Sequence, residues 1–381
     1  MKFIERYRKL AALFSYERTV NIDDHLLEIR PFRFNQAFIG PEIKQIQKTI
    51  SATAFCAVAD DHIEENKTFT YLVFVPKGAV KTDKAILLLH GLNERRWEKY
   101  LPWAEALAFQ TGRAVILFPI AFHMNRTPQY WNNPRAILPY VNNRKERFIG
   151  SDNTTFVNLA LSSRLSEHPV RFYVSGRESV FNLWQLIHEI KTGQHALFKE
   201  NTSVNLFAYS IGAYLAQVWL LSDPEKLASD SRLFLFCGGS LFSRMDGSSR
   251  DIMDRESFQK LQDYLLNDFI HDGTGNGKED FIEKAFKSML SFHKYRSYRE
   301  RFFRENQNRI TAVTLKKDTV IPTLGVEEAL GKKCARRMLS ELDFPYAYAH
   351  QTPFPVHNRV PPEIVQQCFS EVFDRAATFL A

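Results

Sequence analysis

Between Val204 and Gln217 the sequence V-N-L-F-A-Y-S-I-G-A-Y-L-A-Q changes period at a single serine. Val204 to Ala208 is a short apolar run of strand type, and Ile211 to Leu221 repeats apolar residues at helical spacing. Ser210 stands at the corner. Bulky side chains two residues to either side would collide where strand and helix approach, and the chain has Ala208 and Gly212 there. Such a turn pushes the hydroxyl out of the sheet at the helix N-terminus. Small-x-Ser-x-small patterns also arise by chance, so the neighbouring elements and the downstream partners must carry the reading.

With 381 residues, 45% of them hydrophobic, the chain can form one large α/β domain with an insertion, or two domains. The formal charge of +7 permits a preference for anionic substrates without requiring one. The N-terminal M-K-F-I-E-R-Y-R-K-L places charges on both sides of each apolar group, so no signal-peptide core is expected, and no run reaches bilayer-spanning length. Cys56, Cys237, Cys334 and Cys368 lie far apart with no C-x-x-C pairing. Buried thiols in a reducing, cytoplasmic setting are therefore the expectation, rather than a disulfide or zinc framework.

Residues 1–50 mix helical segments with a polar, Pro-containing stretch and are expected to pack across the outside of the main sheet. Ser51 to Ala59 and Thr68 to Pro76 read as an antiparallel hairpin that opens the sheet. Ala85 to Leu89 reads as a strand buried on both faces, followed by His90-Gly91-Leu92-Asn93 and by a helix from Glu94 to about Gln110 capped by Asn93. Ala114 to Phe118 is the next buried strand; strand, helix, strand with short joints implies parallel pairing and a right-handed crossover. Residues 128–175 resist assignment, Arg177 to Lys191 reads as a helix, and Leu233 to Cys237 is a further buried strand. Residues 240–308 are helical in pattern and read as an insertion packed over the sheet. Sheet sequence returns at Ile310 to Leu315. A helix around Val326 to Leu339, a last strand over Asp343 to Ala349 and a closing helix from about Pro362 to Leu380 complete the chain. The divisions are 1–50, 51–239, 240–308 and 309–381.

A serine hydroxyl needs a base within hydrogen-bond reach, and the base needs a third group to fix its tautomer. Residues just beyond the C-terminal ends of parallel strands face one crevice. Ser210, Asp318 and His350 each follow, or nearly follow, an expected strand, in the chain order serine, acid, histidine. Asp246 is an alternative acid and His357 an alternative base.

With the His90-Gly91 loop, the Ala208-Tyr209-Ser210-Ile211-Gly212 turn, the Asp318-Thr319-Val320-Ile321-Pro322 loop and the late histidine, the sequence resembles the α/β-hydrolase superfamily over residues 51–381 less the insertion. Alanine in place of the first glycine of G-x-S-x-G is a departure. The resemblance implies a mostly parallel central sheet flanked by helices, with a helical cap. It also implies that Ser210 attacks an acyl carbonyl, His350 moves the proton, Asp318 orients His350, and the N–H groups of Ile211 and Leu92 form an oxyanion hole. His90, Gly91, His123, Arg126 and Tyr209 are the candidate substrate-binding residues, with His90 alternatively a support for the oxyanion turn.

The expected activity is hydrolysis of a partly apolar carboxylic ester, without metal or cofactor; a peptidase, an amidase or a non-catalytic binding protein are the alternatives. Phe292, Tyr295, Phe302 and Phe303 among Lys294, Arg296, Arg299, Arg301 and Arg304 could suggest a surface for nucleic acid or an anionic membrane. One helical face of aromatics seating a cap, with the arginines turned to water, is the preferred account, so neither a nucleic-acid partner nor a membrane span is expected. Oligomeric state is open.

Overall fold

Runs of apolar residues that cannot find a polar face become strands covered on both sides, and these form the middle of the sheet. The structure is a computed structural model. It describes residues 2–381 except 39, 41–42, 45, 48–49, 51–54, 56–57, 224 and 275–278. In chain order the main elements are α1 (Phe3–Leu13), β1 (Val20–Ile22), β2 (Leu27–Asn35), β3 (Thr68–Pro76), β4 (Thr82–Leu89), α2 (Leu101–Thr111), β5 (Ala114–Leu117), α3 (Pro134–Arg147), α4 (Leu159–Glu167), α5 (Arg171–Lys191), β6 (Phe198–Tyr209) and α6 (Ile211–Ser222). They continue with β7 (Leu233–Phe236), α7 (Arg255–Asp263), α8 (Phe281–Ser288), α9 (Arg296–Glu305), β8 (Ile310–Leu315), α10 (Thr323–Leu330), α11 (Lys332–Met338), β9 (Leu339–Leu342) and α12 (Pro362–Leu380).

The nine strands form one sheet in the order β1-β2-β3-β5-β4-β6-β7-β8-β9. From β5 across to β9 all pairs are parallel, and β1, β2 and β3 add an antiparallel edge. The chain steps outward from β4 to β5, then returns past β4 to β6. The helix after β4 packs with α1 and α12 on one face, and the helix after β6 packs with α5 on the other. The crevice between the C-terminal ends of β4 and β6 is therefore the topological switch point, where open α/β sheets bind ligands.

Several sequence expectations need correction. The strand expected over 51–59 lies largely outside the described residues; Phe55, Val58 and Ala59, which are described, are not in a strand. Thr68–Pro76 pairs antiparallel along its whole length with β2, from the segment expected to lie outside the sheet, and at Leu72–Phe74 with β5. The helix expected from Glu94 begins at Leu101, because Pro102 has no N–H to donate and fits only in the first turn. Asn93 caps nothing; it lies at φ 60°, and its amide donates to the carbonyls of Val157 (3.0 Å) and Asp251 (2.7 Å). The unassigned stretch 128–175 contains α3, α4 and the start of α5. The helix expected over Val326 to Leu339 is broken at Gly331, φ 81°. The last strand is Leu339–Leu342, and 343–349 is irregular, so His350 follows a loop rather than a strand. Arg299, expected to face water, is fully buried and donates to the carbonyls of Ala329 (3.1 Å), Phe292 (3.0 Å) and Ser291 (3.2 Å).

Candidate active site

Ser210 closes β6 and opens α6 at φ 56°, ψ −123°, a conformation that side chains other than glycine rarely hold. Its surroundings leave no room to relax. A Cβ on Gly212 would lie 2.7 Å from the carbonyl oxygens of both Leu89 and His90, so glycine there lets α6 start against the end of β4. A Cβ on Gly238 would lie 2.4 Å from the Ala213 side chain and 2.9 Å from the Ser210 nitrogen. Gly238 was legible only as the end of a strand; its packing against the turn is a contact that no sequence pattern announces.

The hydroxyl of Ser210 lies 2.7 Å from His350 Nε2, and His350 Nδ1 lies 2.7 Å from Asp318 Oδ2. The other carboxylate oxygen of Asp318 accepts the backbone N–H groups of Val320 (2.9 Å) and Ile321 (3.0 Å), which fixes the carboxylate plane. All three side chains are buried. Tyr209 donates its hydroxyl to the His350 carbonyl, and the two rings stack at 5.4 Å. Of the alternatives, Asp246 accepts from Ser248 N–H (2.9 Å) within a turn and makes no hydrogen bond to His350, and His357 is exposed and accepts from Arg359 N–H (3.3 Å).

The loop after β4 is held rigidly. Gly91 donates its N–H to the Tyr100 hydroxyl (2.9 Å), which donates to Glu94 Oε1 (2.8 Å). His90 spans two loops: Nδ1 donates to the Gly91 carbonyl (2.8 Å) and Nε2 accepts the Ile120 N–H (2.9 Å). Burial holds the imidazole well below its ordinary pKa, so it stays neutral, as that pattern requires. Neither the Leu92 N–H nor the Ile211 N–H meets an acceptor among the described residues.

Two cavities meet in front of the serine. The smaller is lined by Ser210 with Phe242, Met253, Phe258 and Ile321 among others. The larger runs between α4, α5, α6 and the loop after β5. Leu92, Ile211 and Phe172 line both.

Of the five residues expected to bind substrate, only His123 lines a cavity. Its Nδ1 donates to the Ala121 carbonyl (2.9 Å), its Nε2 has no partner among the described residues, and burial lowers its pKa to about 4. His90, Gly91 and Tyr209 serve as supports behind the wall. Arg126 was expected in the crevice but is wholly buried. Its guanidinium donates to the Pro119 and Asn66 carbonyls (3.0 Å each) and to Asn182 Oδ1 (2.8 Å), and it pairs with Glu178 (3.3 Å), so nothing remains for a substrate. Among the described residues no group of three or more His, Cys, Asp or Glu could hold a metal ion, and no helix is long and apolar enough to cross a membrane.

The nine-strand order, the switch point and the strand–serine–helix turn are those of the α/β-hydrolase fold. Solved structures similar to the chain include carboxyl esterase 2 from Tuber melanosporum (10% identity, 100% of both chains, TM-score 0.44). Others are esterase LipW from Mycobacterium marinum (10% identity, 98% of this chain and 87% of that one, TM-score 0.46) and a bacterial heroin esterase (11%, 99% and 91%, 0.46). Similarity at this level carries no activity across, and the fold assignment stands on the topology. No curated protein matches the sequence significantly. A family described as "Family of unknown function (DUF6051)" matches residues 1–381, and the chain belongs to it.

Proposed function

We propose that this member of DUF6051 is a serine hydrolase that cleaves a carboxylic ester through an acyl-enzyme intermediate. The observation that carries the reading is the continuous hydrogen-bonded run from Ser210 through His350 to Asp318, both links 2.7 Å. In this mechanism Ser210 Oγ attacks the acyl carbonyl while its proton passes to His350 Nε2. His350 then gives that proton to the departing alkoxide, leaving the acyl group on Ser210. Water repeats the sequence in reverse, losing a proton to His350 and releasing the acid. Asp318 keeps the Nδ1–H tautomer and offsets the imidazolium charge. The N–H groups of Leu92 and Ile211 take the oxyanion; losing one such donor typically costs about 10²- to 10³-fold in rate.

Residues 240–308 act as the helical cap over the crevice. Their apolar side chains, Phe242, Met253 and Phe258 beside Ser210 and Ile282 and Phe286 in the larger cavity, favour a partly apolar ester as substrate. The described cysteines are free and buried, which fits a reducing, cytoplasmic setting. A binding protein that kept the fold would be expected to have lost the contacts between Ser210, His350 and Asp318, and these are intact. The test is release of p-nitrophenol from short and medium p-nitrophenyl esters: turnover is expected in the wild type and none above background in Ser210→Ala.

A further inference from the structure

The cap segment 245–253 bonds to all three loops that carry the site. Asp246 donates its N–H to the carbonyl of Val320 (3.0 Å), in the loop that fixes Asp318. Ser249 Oγ accepts from Gln351 Nε2 (3.1 Å), the neighbour of His350. The Asp251 carbonyl accepts from Asn93 Nδ2 (2.7 Å), the neighbour of Leu92. Two further bonds anchor the segment to the stretch before α4: Thr155 Oγ1 donates to the Arg250 carbonyl (2.8 Å), and Asn158 Nδ2 donates to that of Ser249 (2.9 Å). Met245, Gly247, Ile252 and Met253 of the same segment line the smaller cavity with Ser210.

Asn93 lies at φ 60°, which asparagine tolerates better than most residues, and its amide nitrogen donates to the carbonyls of both Val157 (3.0 Å) and Asp251. Two carbonyl partners require the nitrogen end of the amide. The preceding peptide is held from its other end. A trans peptide is planar and its N–H points opposite its C=O, so the bond from His90 Nδ1 to the Gly91 carbonyl (2.8 Å) also aims the Leu92 N–H. That N–H meets no acceptor among the described residues, and Leu92 lines the smaller cavity with Ser210. Resting on the hydrolase reading, we propose that segment 245–253 is a strap that holds the acid, base and oxyanion loops in one arrangement. Asn93 is the positioning residue through which the strap keeps the Leu92 N–H on the developing oxyanion. A misplacement of about 1 Å in such a site can cost on the order of 10²-fold in rate.

The experiment uses Asn93→Gly, which keeps φ 60° without strain and removes the amide, with circular dichroism to check the fold. In p-nitrophenyl butyrate hydrolysis the variant is expected to lose about tenfold or more in kcat with KM within about twofold, because an oxyanion donor acts in the transition state rather than on the bound ester. An unchanged kcat, or a loss matched by an equal rise in KM, overturns the positioning role. Hydrogen exchange reads the strap without any substrate. Peptides covering 249–253, where the Ser249 N–H donates to the Met253 carbonyl (2.9 Å), are expected to exchange faster in Asn93→Gly and in Gln351→Met, which removes the bond to Ser249. Unchanged exchange in either variant overturns the strap. Faster exchange in both variants without wild-type turnover of any ester sinks the hydrolase reading alone. Wild-type turnover with kcat unchanged in Asn93→Gly sinks the role of Asn93 alone.

Discussion

At position 210 the backbone is held at φ 56° by neighbours that admit nothing larger than glycine at 212 and 238, a strain of about 1–3 kcal/mol that the surrounding packing sustains. That strain lifts one hydroxyl clear of the strand and toward His350. The choice between His350 and His357, open in the sequence, becomes a mutational prediction. His350→Ala removes the group touching both Ser210 and Asp318 and is expected to lower kcat by 10³-fold or more, on the order seen when a triad base is lost. His357→Ala touches neither and is expected to stay within about twofold. Equal losses in p-nitrophenyl ester hydrolysis would contradict the assignment. The meeting of Ser210, Asp318 and His350 was legible because each follows its strand or strand-end loop in order. Arg126 was misread because its partners, Asn66, Glu178 and Asn182, lie some 50 residues or more away in the chain, and a guanidinium satisfied inside the protein looks the same in sequence as one that faces a ligand.

The elements whose burial is two-sided were the readable ones: β4, β5, β7 and β8 are continuous apolar runs and lie where those runs predict. The last strand was not. Phe344, Tyr346 and Tyr348 alternate as a strand would, but Pro345 interrupts them, and their rings instead pack on one another and on Phe354 in the loop that brings His350 to the serine. β9, at four residues, is too short to show a period. The joint between β4 and α6 is the element contact on which the turn depends. Gly212→Ala places a Cβ 2.7 Å from two carbonyl oxygens, so the backbone must shift. The expected cost is about 1–3 kcal/mol with a lower melting temperature and slowed ester hydrolysis. Wild-type melting and activity in that variant would show that the close approach is not required.

Across the whole molecule, burial sets the pH response. His123 and His195 are lowered from 6.5 to about 4, and His90 is held well below 6.5, in each case chiefly by burial. The unfolded chain therefore binds more protons than the folded one between pH 6.5 and about 4. The stability from keeping these imidazoles neutral is full above pH 6.5 and is lost as pH falls through that window. The melting temperature is expected to decline steadily from pH 7 to pH 4, and a flat profile would contradict it. Loss of His90 from its two hydrogen bonds would also release the loop that presents Leu92, linking acid unfolding to the crevice.

The most direct test of the central claim, that Ser210 is an activated nucleophile, is labelling of the folded protein by a fluorophosphonate probe, with the site located by peptide mass spectrometry. Covalent modification at Ser210, absent from a folded Ser210→Ala variant, is the predicted result. A protein that stays unlabelled while a known serine hydrolase reacts under the same conditions, or that is labelled at another residue, would contradict the account.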